Sequence, residues 1–589
     1  MVLAVIVGVI AASIVGLFLL GSFFGALVSA SSTQPVLPRS GVLTIDMGTF
    51  ALGEQTTDSQ IDPTSLILGG GMVPTVGLWD AVQAVNAAAA DPSVQYILLK
   101  TDNMSAGISD LEEFRVALSN FRKSGKAIIS YIESPSTGGY YLASVADKVY
   151  MTSHHGGNPT VVGVGGTLYF LKDILDAVGV NVQLIRHGKY KSAGEMYIRN
   201  SASPENMQQN VEMISSVWDK YSADICASRE ISREELDSMI NDLKLVLPED
   251  FLENKLVDLL VTKQQFKDKL ADLAVVEKYE DVKFISFTDY ITAKVSENTK
   301  SKNKIAVIFA DGEITEGSAK VEITGDRFAS IISDIRKDKD VKVVVLRVNS
   351  PGGSVIASDK IKAEIDLLRQ EKPVVASYGN YAASGGYWIS NSCDRIFSNA
   401  TTLTGSIGVF SMVPDLSGTL KKIAKVTVTP INSHDHTDMY SLMRPLDAKE
   451  AEFMQASVED IYGQFVSIVS EGRHLTPEFV DSIAQGRVWT GAEGLEIGLV
   501  DEIGTLEDAI KYAAVLVGGS DNLADWRITS YPKPQTTMEM LLESLQGSST
   551  NALSGTPFEM VGKQLEDLAK TNGKAITLAR MPFSIEFTK

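Results

Sequence analysis

The chain opens on an uninterrupted apolar run. Residues 1–30 contain no Asp, Glu, Lys or Arg, and their centre reads AVIVGVIAASIVGLFLLGSFFGALV. That stretch exceeds the roughly 20 apolar residues that cross a bilayer as a helix. No face of it is polar, which argues against a helix packed on a globular core. Val28-Ser29-Ala30 resembles a small-residue cleavage site, but a signal peptide carries a basic leader and an apolar core of about 7–15 residues. The pattern therefore predicts an uncleaved transmembrane anchor over 1–30. The first basic residue, Arg39, follows the span, so loop charge gives no orientation. The lack of any basic residue before the span hints at a true start upstream.

Beyond the anchor, short β-branched runs alternate with helical patterns. Tyr96–Leu99, Ala127–Tyr131, Val343–Val348 and Pro373–Tyr378 read as strands. Between the last two, Ser354–Gln370 has helical spacing, with Ile356, Ile361, Ile365, Leu367 and Leu368 apolar. Strand–helix–strand alternation predicts an α/β fold.

The pattern also repeats. Residues 91–150 align with 338–397 without a gap, at an offset of 247. Within them Gly138-Gly139-Tyr140-Tyr141 lies over Gly385-Gly386-Tyr387-Trp388. Further on, Gly163-Val-Gly-Gly lies over Gly405-Ser-Ile-Gly at 242, and Leu256-Val257-Asp258 over Leu499-Val500-Asp501 at 243. A period near 245 is too long for a solenoid, whose repeats run about 20–50 residues. It predicts a duplicated domain, 42–290 and 304–520, joined through the polar stretch VSENTKSKNK. The tail, 521–589, has helical patterns at 537–546 and 557–571 and no readable role.

Composition narrows the function. The net charge of −20 over 589 residues disfavours nucleic-acid binding, which needs clustered Lys and Arg. Two cysteines, Cys226 and Cys393, and six histidines cannot build a disulfide framework or a Cys-based zinc site and give little for a His-based one. His154-His155 and His434-Asp-His436 read as exposed loop residues. No metal and no cofactor is expected. No Gly-Lys-Ser/Thr phosphate loop occurs, so no ATPase function or ATPase subunit is expected.

The candidate chemistry lies in what each copy lost. Asn349-Ser350-Pro351-Gly352-Gly353-Ser354 follows a strand and opens a helix, where glycines can present backbone N–H groups to an anion. Read alone, it is also an ordinary turn. Thirty-one residues past Gly353 stands Ser384, within Tyr381-Ala-Ala-Ser384-Gly-Gly-Tyr-Trp388. Ser384 reads either as a helix cap or as a nucleophile left uncovered by small neighbours. In the first copy the equivalents of Gly352, Gly353 and Ser384 are Ser105, Ala106 and Thr137. That copy instead has His187-Gly-Lys189-Tyr-Lys191-Ser-Ala-Gly-Glu195, and Ser433 stands opposite Lys191 in the second. Complementary losses point to one site assembled from both copies. A serine hydroxyl needs a base at neutral pH, and a lysine serves if burial lowers its pKa. Lys189 and Lys191 alternate on a segment read as extended, so only one can face Ser384.

Five segments, GKYKSAGE (188–195), NSPGGS (349–354), YAASGGYW (381–388), TLTGSIGVF (402–410) and GRVWTGAEGLEIGLVDEIG (486–504), resemble the signal peptide peptidase A (protease IV) family in its long, duplicated form. The resemblance implies tandem Clp-protease/crotonase-like α/β domains behind a membrane helix, a homotetramer, and a bowl opening toward the lipid bilayer of a bacterial inner membrane, on its extracytoplasmic side. It implies Ser384 as nucleophile, Lys191 as general base, and backbone N–H groups at Gly352, Gly353 and Gly385 for the oxyanion hole. Ser406 matches a position whose hydroxyl orients the lysine, and Glu195 receives no role. The lysine motif reads AGE where the family often has AVE. The implied substrates are cleaved signal peptides and other apolar membrane-derived peptides. Two other readings are an inactive membrane scaffold of the same fold, against which the intact Ser384 and Lys191 weigh, and a crotonase-type acyl-CoA enzyme, which would need no exposed serine.

Overall fold

The computed structural model describes residues 35–56, 73–317, 322–533 and 576–581. The apolar run 1–30 and the helical patterns expected at 537–546 and 557–571 lie outside the described residues. Among the described residues no helix is long and apolar enough to cross a membrane.

The duplication is written in the sheet topology. The first sheet is parallel, in the order Leu259–Val261, Lys148–Thr152, Ile128–Ile132, Val94–Lys100, Gly41–Asp46, Phe284–Ser286. The second sheet repeats that order with Glu502–Ile503, Arg395–Ser398, Val374–Ala383, Val341–Ser350, Lys304–Asp311 and Arg527–Tyr531. Its Val374–Ala383 strand runs on to pair with Leu403–Gly405, which in turn pairs with Val488–Thr490. Strands covered on both faces read as unbroken apolar runs, and Ile305–Ala310 and Val343–Val348 are buried throughout.

The helix after Asn349–Ser354 spans Val355–Arg369 and is capped by Ser354, whose hydroxyl accepts from the Ala357 amide. Ile361, Ile365 and Leu368 are buried, but Ile356 and Leu367 face solvent. The stripe is thus narrower than the sequence suggests, because only one face of the helix meets the sheet.

A third sheet frames the region between the halves. Its order is Ile323–Thr324, Ile314–Thr315, Gly352–Ser354, Ile576–Arg580, Phe410–Asp415, Asn181–Arg186. The Asn181–Arg186 strand from the first half lies antiparallel to Phe410–Asp415, with Arg186 opposite Phe410. This crossing carries residues 187–195 of the first half onto the second.

The two halves also share a buried polar seam. Helix Ile108–Arg122 presents Ser109, whose amide donates to Asn380 Oδ1 at 2.9 Å, and Glu112, which accepts from the Thr401 amide and hydroxyl. Glu113 accepts from the Leu506 amide. Arg347, with no exposed surface, lies 2.8 Å from Glu54 and 3.1 Å from Glu113.

Candidate active site

Ser384 stands where the Val374–Ala383 strand meets the helix Gly385–Ser390. Its φ of 55° and ψ of −113° place a non-glycine residue in a sparsely populated region. The turn is held by its own amide, which donates to the Gly405 carbonyl at 2.8 Å, and by its carbonyl, which accepts from Trp388. Gly385 and Gly386 follow because nothing larger fits: a Cβ on Gly386 would stand 2.7 Å from the Ser350 carbonyl oxygen. Ser384 occupies the cap position of this helix, but its side chain makes no capping bond. The hydroxyl faces Lys191 instead.

Lys191 Nζ lies 2.8 Å from Ser384 Oγ, 3.0 Å from Ser406 Oγ and 3.0 Å from the Ser406 carbonyl oxygen. Both Lys191 and Ser384 are completely buried. Burial holds the lysine pKa well below its ordinary value, because removal from water disfavours the charged form. A neutral amine has two N–H donors and one lone pair. Nζ stands as donor to all three oxygens, and once neutral it has a lone pair to turn to the Ser384 hydroxyl proton. The arrangement matches a base ready to take the serine proton.

Lys189 is exposed, its ammonium 5.2 Å from the Tyr190 ring centre. The segment is a turn rather than extended, with the Lys191 amide donating to the Gly188 carbonyl. That turn, not strand alternation, puts one lysine in and the other out.

The Gly352–Ser354 strand passes beside Ser384. A Cβ on Gly385 would stand 3.1 Å from the Gly353 amide nitrogen, so these two amides border one point. The Gly352 amide donates to Ser350 Oγ at 3.2 Å, and the Ser384 amide is taken by Gly405. Of the three amides the resemblance implies at Gly352, Gly353 and Gly385, that of Gly352 is thus already donating to a side chain, and at φ 101° its Cα leaves room where a Cβ would meet the Ala579 carbonyl.

Three further residues support the lysine turn: Ser406, which the resemblance implied, Glu195, which had been given no role, and Arg186, which escaped the sequence. Ser406 adopts φ 49°, and its hydroxyl donates toward the Gly486 carbonyl at 3.4 Å while meeting Lys191. Arg186 Nη1 donates to the Lys191 carbonyl at 2.7 Å and to Glu195 at 3.2 Å. Glu195, fully buried, also accepts from the Ser203 amide and Asn206 Nδ2. It thus acts on the backbone of the lysine turn, not on the ammonium. The signal available in sequence was Glu195 within GKYKSAGE; Arg186 had none.

The first-copy equivalent holds no dyad. Thr137 Oγ1 donates to the Thr160 carbonyl and accepts from the Val162 amide, so the hydroxyl is tied to backbone. Ser433 is exposed. His154, His155 and His434 are exposed, as their loops predicted. His436 is half-buried and bonded to Glu450; His436, Asp447 and Glu450 gather within 4.8 Å, but Arg444 already neutralises Glu450.

Residues 120–277 and 366–519 each match the profile of peptidase family S49. The chain is 34% identical to "Protease 4" of Salmonella typhi over 86% of its length and 83% of that protein's. It is 31% identical to "Protease 4" of Haemophilus influenzae, over 93% of this chain and 92% of the relative. It is also 31% identical to "Serine protease SPPA, chloroplastic" of Arabidopsis thaliana, over 72% of this chain and 64% of the relative.

Proposed function

The chain belongs to peptidase family S49 and is a serine peptidase, and from that premise we propose that it cleaves peptides through a Ser384–Lys191 dyad while tethered to a membrane by residues 1–30. The observation that carries the reading is the 2.8 Å contact between Lys191 Nζ and Ser384 Oγ at a lysine with no exposed surface.

The reaction follows from the groups in place. Neutral Lys191 takes the hydroxyl proton as Ser384 Oγ attacks a peptide carbonyl carbon. The amides of Gly353 and Gly385 receive the developing oxyanion; removing one such donor typically costs about 100-fold or more in rate. The Lys191 ammonium then protonates the leaving amine. Water, deprotonated by the same lysine, releases the acyl group and restores the serine.

Signal peptides and other apolar membrane-derived segments suit an enzyme held at the bilayer by its own apolar run. Such substrates are supported by the resemblance. A homotetrameric bowl with its catalytic parts outside the cytoplasm rests on the same resemblance.

Labelling with a fluorophosphonate probe tests the dyad. Wild-type protein is expected to label, and Ser384→Ala and Lys191→Ala to remain unlabelled at neutral pH. Labelling that persists in Ser384→Ala sinks the nucleophile. An inactive Lys189→Ala beside an active Lys191→Ala transfers the base.

A further inference from the structure

The two copies close the same face of their sheets differently. Leu98 lies over Val345 at the 247-residue offset. Thr44 pairs with Leu98 where Val307 pairs with Val345, and two positions on, Asp46 and Lys100 match Phe309 and Arg347. The helix on this face is Lys263–Leu273 in the first copy and Leu506–Leu516 in the second, capped by Thr262 and Thr505. At the 243-residue offset Lys263 and Lys267 stand where the second copy has Leu506 and Ile510. Val307, Phe309, Leu506 and Ile510 are buried in one apolar cluster. In the first copy all four places are polar.

Charged side chains resist burial without partners, so the first copy keeps this face open. It holds a cavity of about 580 Å³, within the range of about 300–1,000 Å³ usual for small-molecule sites. The cavity reaches the carboxyl ends of Gly41–Asp46 and Val94–Lys100, the end of a parallel sheet where α/β proteins take ligands. Its walls are aromatic. Tyr131 stacks on Phe266 with ring centres 4.2 Å apart, and Tyr279 meets Phe284 at 5.5 Å. Lys100 and Asp46 pair with each other at 3.4 Å. The other charged groups of the lining do not pair. Among the described residues Lys263 has no carboxylate partner, and the Lys267 ammonium has only the Tyr279 ring, 4.9 Å away. Glu133 has a neutral partner, the Tyr131 hydroxyl at 2.9 Å, and the Asp289 side chain has no hydrogen bond or ion pair.

We propose that this cavity binds a short apolar peptide with both ends free, its carboxylate at Lys263 and Lys267, its ammonium at Asp289 and Glu133, and its side chains on the aromatic walls. The two lysines stand one turn apart on one helix face and can hold one carboxylate between them. Asp289 comes from the helix Phe287–Lys294, which follows the opposite edge strand of the sheet. A fatty acid satisfies the lysines and leaves the two acids without a cation; an apolar amine does the reverse. A zwitterion with an apolar body answers both. Short apolar peptides are also the class of product that a peptidase acting on apolar segments releases. The site draws on the first copy alone and does not rest on the Ser384–Lys191 reading.

Isothermal calorimetry on the full chain with the dipeptide Leu-Phe tests it. One molecule per chain is expected to bind. N-acetyl-Leu-Phe and Leu-Phe amide each lack one charge and are expected to bind about tenfold or more weakly. Lys263→Leu with Lys267→Ile, which installs the residues of the second copy, should abolish Leu-Phe binding with the circular dichroism and the rate of fluorophosphonate labelling unchanged. Asp289→Asn should close most of the gap between Leu-Phe and its N-acetyl form while keeping the gap to the amide; this comparison decides if the lysine double variant fails to fold. Unchanged Leu-Phe affinity in the double variant overturns the site. So does an absence of binding to the wild-type chain, the result expected if another copy of the chain covers this face. N-acetyl-Leu-Phe or decanoate binding as tightly as Leu-Phe overturns the zwitterion.

Discussion

Gly486 presses against the backbone of Lys191: a Cβ on Gly486 would stand 2.5 Å from Lys191 Cβ and 2.6 Å from its amide nitrogen. The contact joins a glycine of the second copy to the buried lysine from the first. The Gly486 amide donates to the Ile407 carbonyl, and the neighbouring Gln485 carbonyl accepts from Tyr190, so the lysine turn is docked on this loop by backbone. At φ 78° the position also disfavours any L side chain. Gly486→Ala is expected to displace Lys191 from Ser384 and lower kcat on the order of 100-fold, with KM little changed. Steady-state kinetics with circular dichroism as a folding control checks it. A kcat within twofold of wild type would mean the contact is slack.

Burial of the Lys191 amine sets both activity and stability against pH. The ammonium cannot take the serine proton, so kcat/KM is expected to rise with pH as the lysine loses its own, at a pH well below the ordinary lysine value. A flat profile from about pH 6 to 9 contradicts a titrating base. The sign for stability follows from linkage. Below the ordinary lysine pKa the unfolded chain binds a proton that the folded chain does not, so folding stability rises with pH until the unfolded lysine also deprotonates. Lys191→Met removes this penalty. It is expected to be inactive yet more stable near pH 7, by on the order of 1 kcal/mol or more, with the gain shrinking toward pH 10 and above. Urea unfolding at both pH values measures the difference.

Much of the fold and of the candidate site was legible because both depend on local pattern. Parallel strands buried on two faces announce themselves as apolar runs, and the 247-residue offset places Val94 over Val341 and Lys148 over Arg395, the same positions in the two sheets. The substitutions at Thr137, Ser105 and Ala106 singled out the second copy for the candidate serine. What stayed hidden depends on contacts between distant segments. Arg186 looks like any strand-end arginine until the Asn181–Arg186 strand pairs with Phe410–Asp415. The bond from the Gly352 amide to Ser350 Oγ was likewise out of reach of the sequence. The Ile576–Arg580 strand carries no periodicity strong enough to separate it from a tail.

Arg347 couples the halves, and its loss should show as stability rather than chemistry. It lies between Glu54 and Glu113 and also donates to Ser377 Oγ and the Tyr378 carbonyl. Arg347→Met leaves two buried carboxylates without their cation, a change that typically costs about 3–5 kcal/mol. Burial already pushes the Glu113 carboxyl up, with Arg347 opposing it; without the arginine it rises further. A carboxyl raised in the folded state is neutral in both states at low pH and penalises folding as pH climbs through its ordinary value toward the folded one. The destabilisation is therefore expected to be smaller near pH 5 than near pH 8. Thermal unfolding at the two pH values checks this, and an equal loss at both would remove the carboxylates from the account.

Ser406 holds the lysine by two oxygens, its hydroxyl and its carbonyl, each 3.0 Å from Nζ. Ser406→Ala keeps the carbonyl and removes the hydroxyl, so the amine retains one fixed acceptor and gains freedom to rotate away from Ser384. A drop in kcat of about 10- to 100-fold with KM unchanged is expected. The pH profile separates positioning from bulk structural damage. Hydrogen bonds to an ammonium are stronger than those to a neutral amine, so losing the Ser406 hydroxyl weakens the charged form more and lowers the lysine pKa further. The acid limb of kcat/KM should shift to lower pH in Ser406→Ala. Ser406→Thr, which keeps a hydroxyl, should restore part of both the rate and the limb. A limb that stays in place while kcat falls would assign Ser406 to the turn at φ 49° alone.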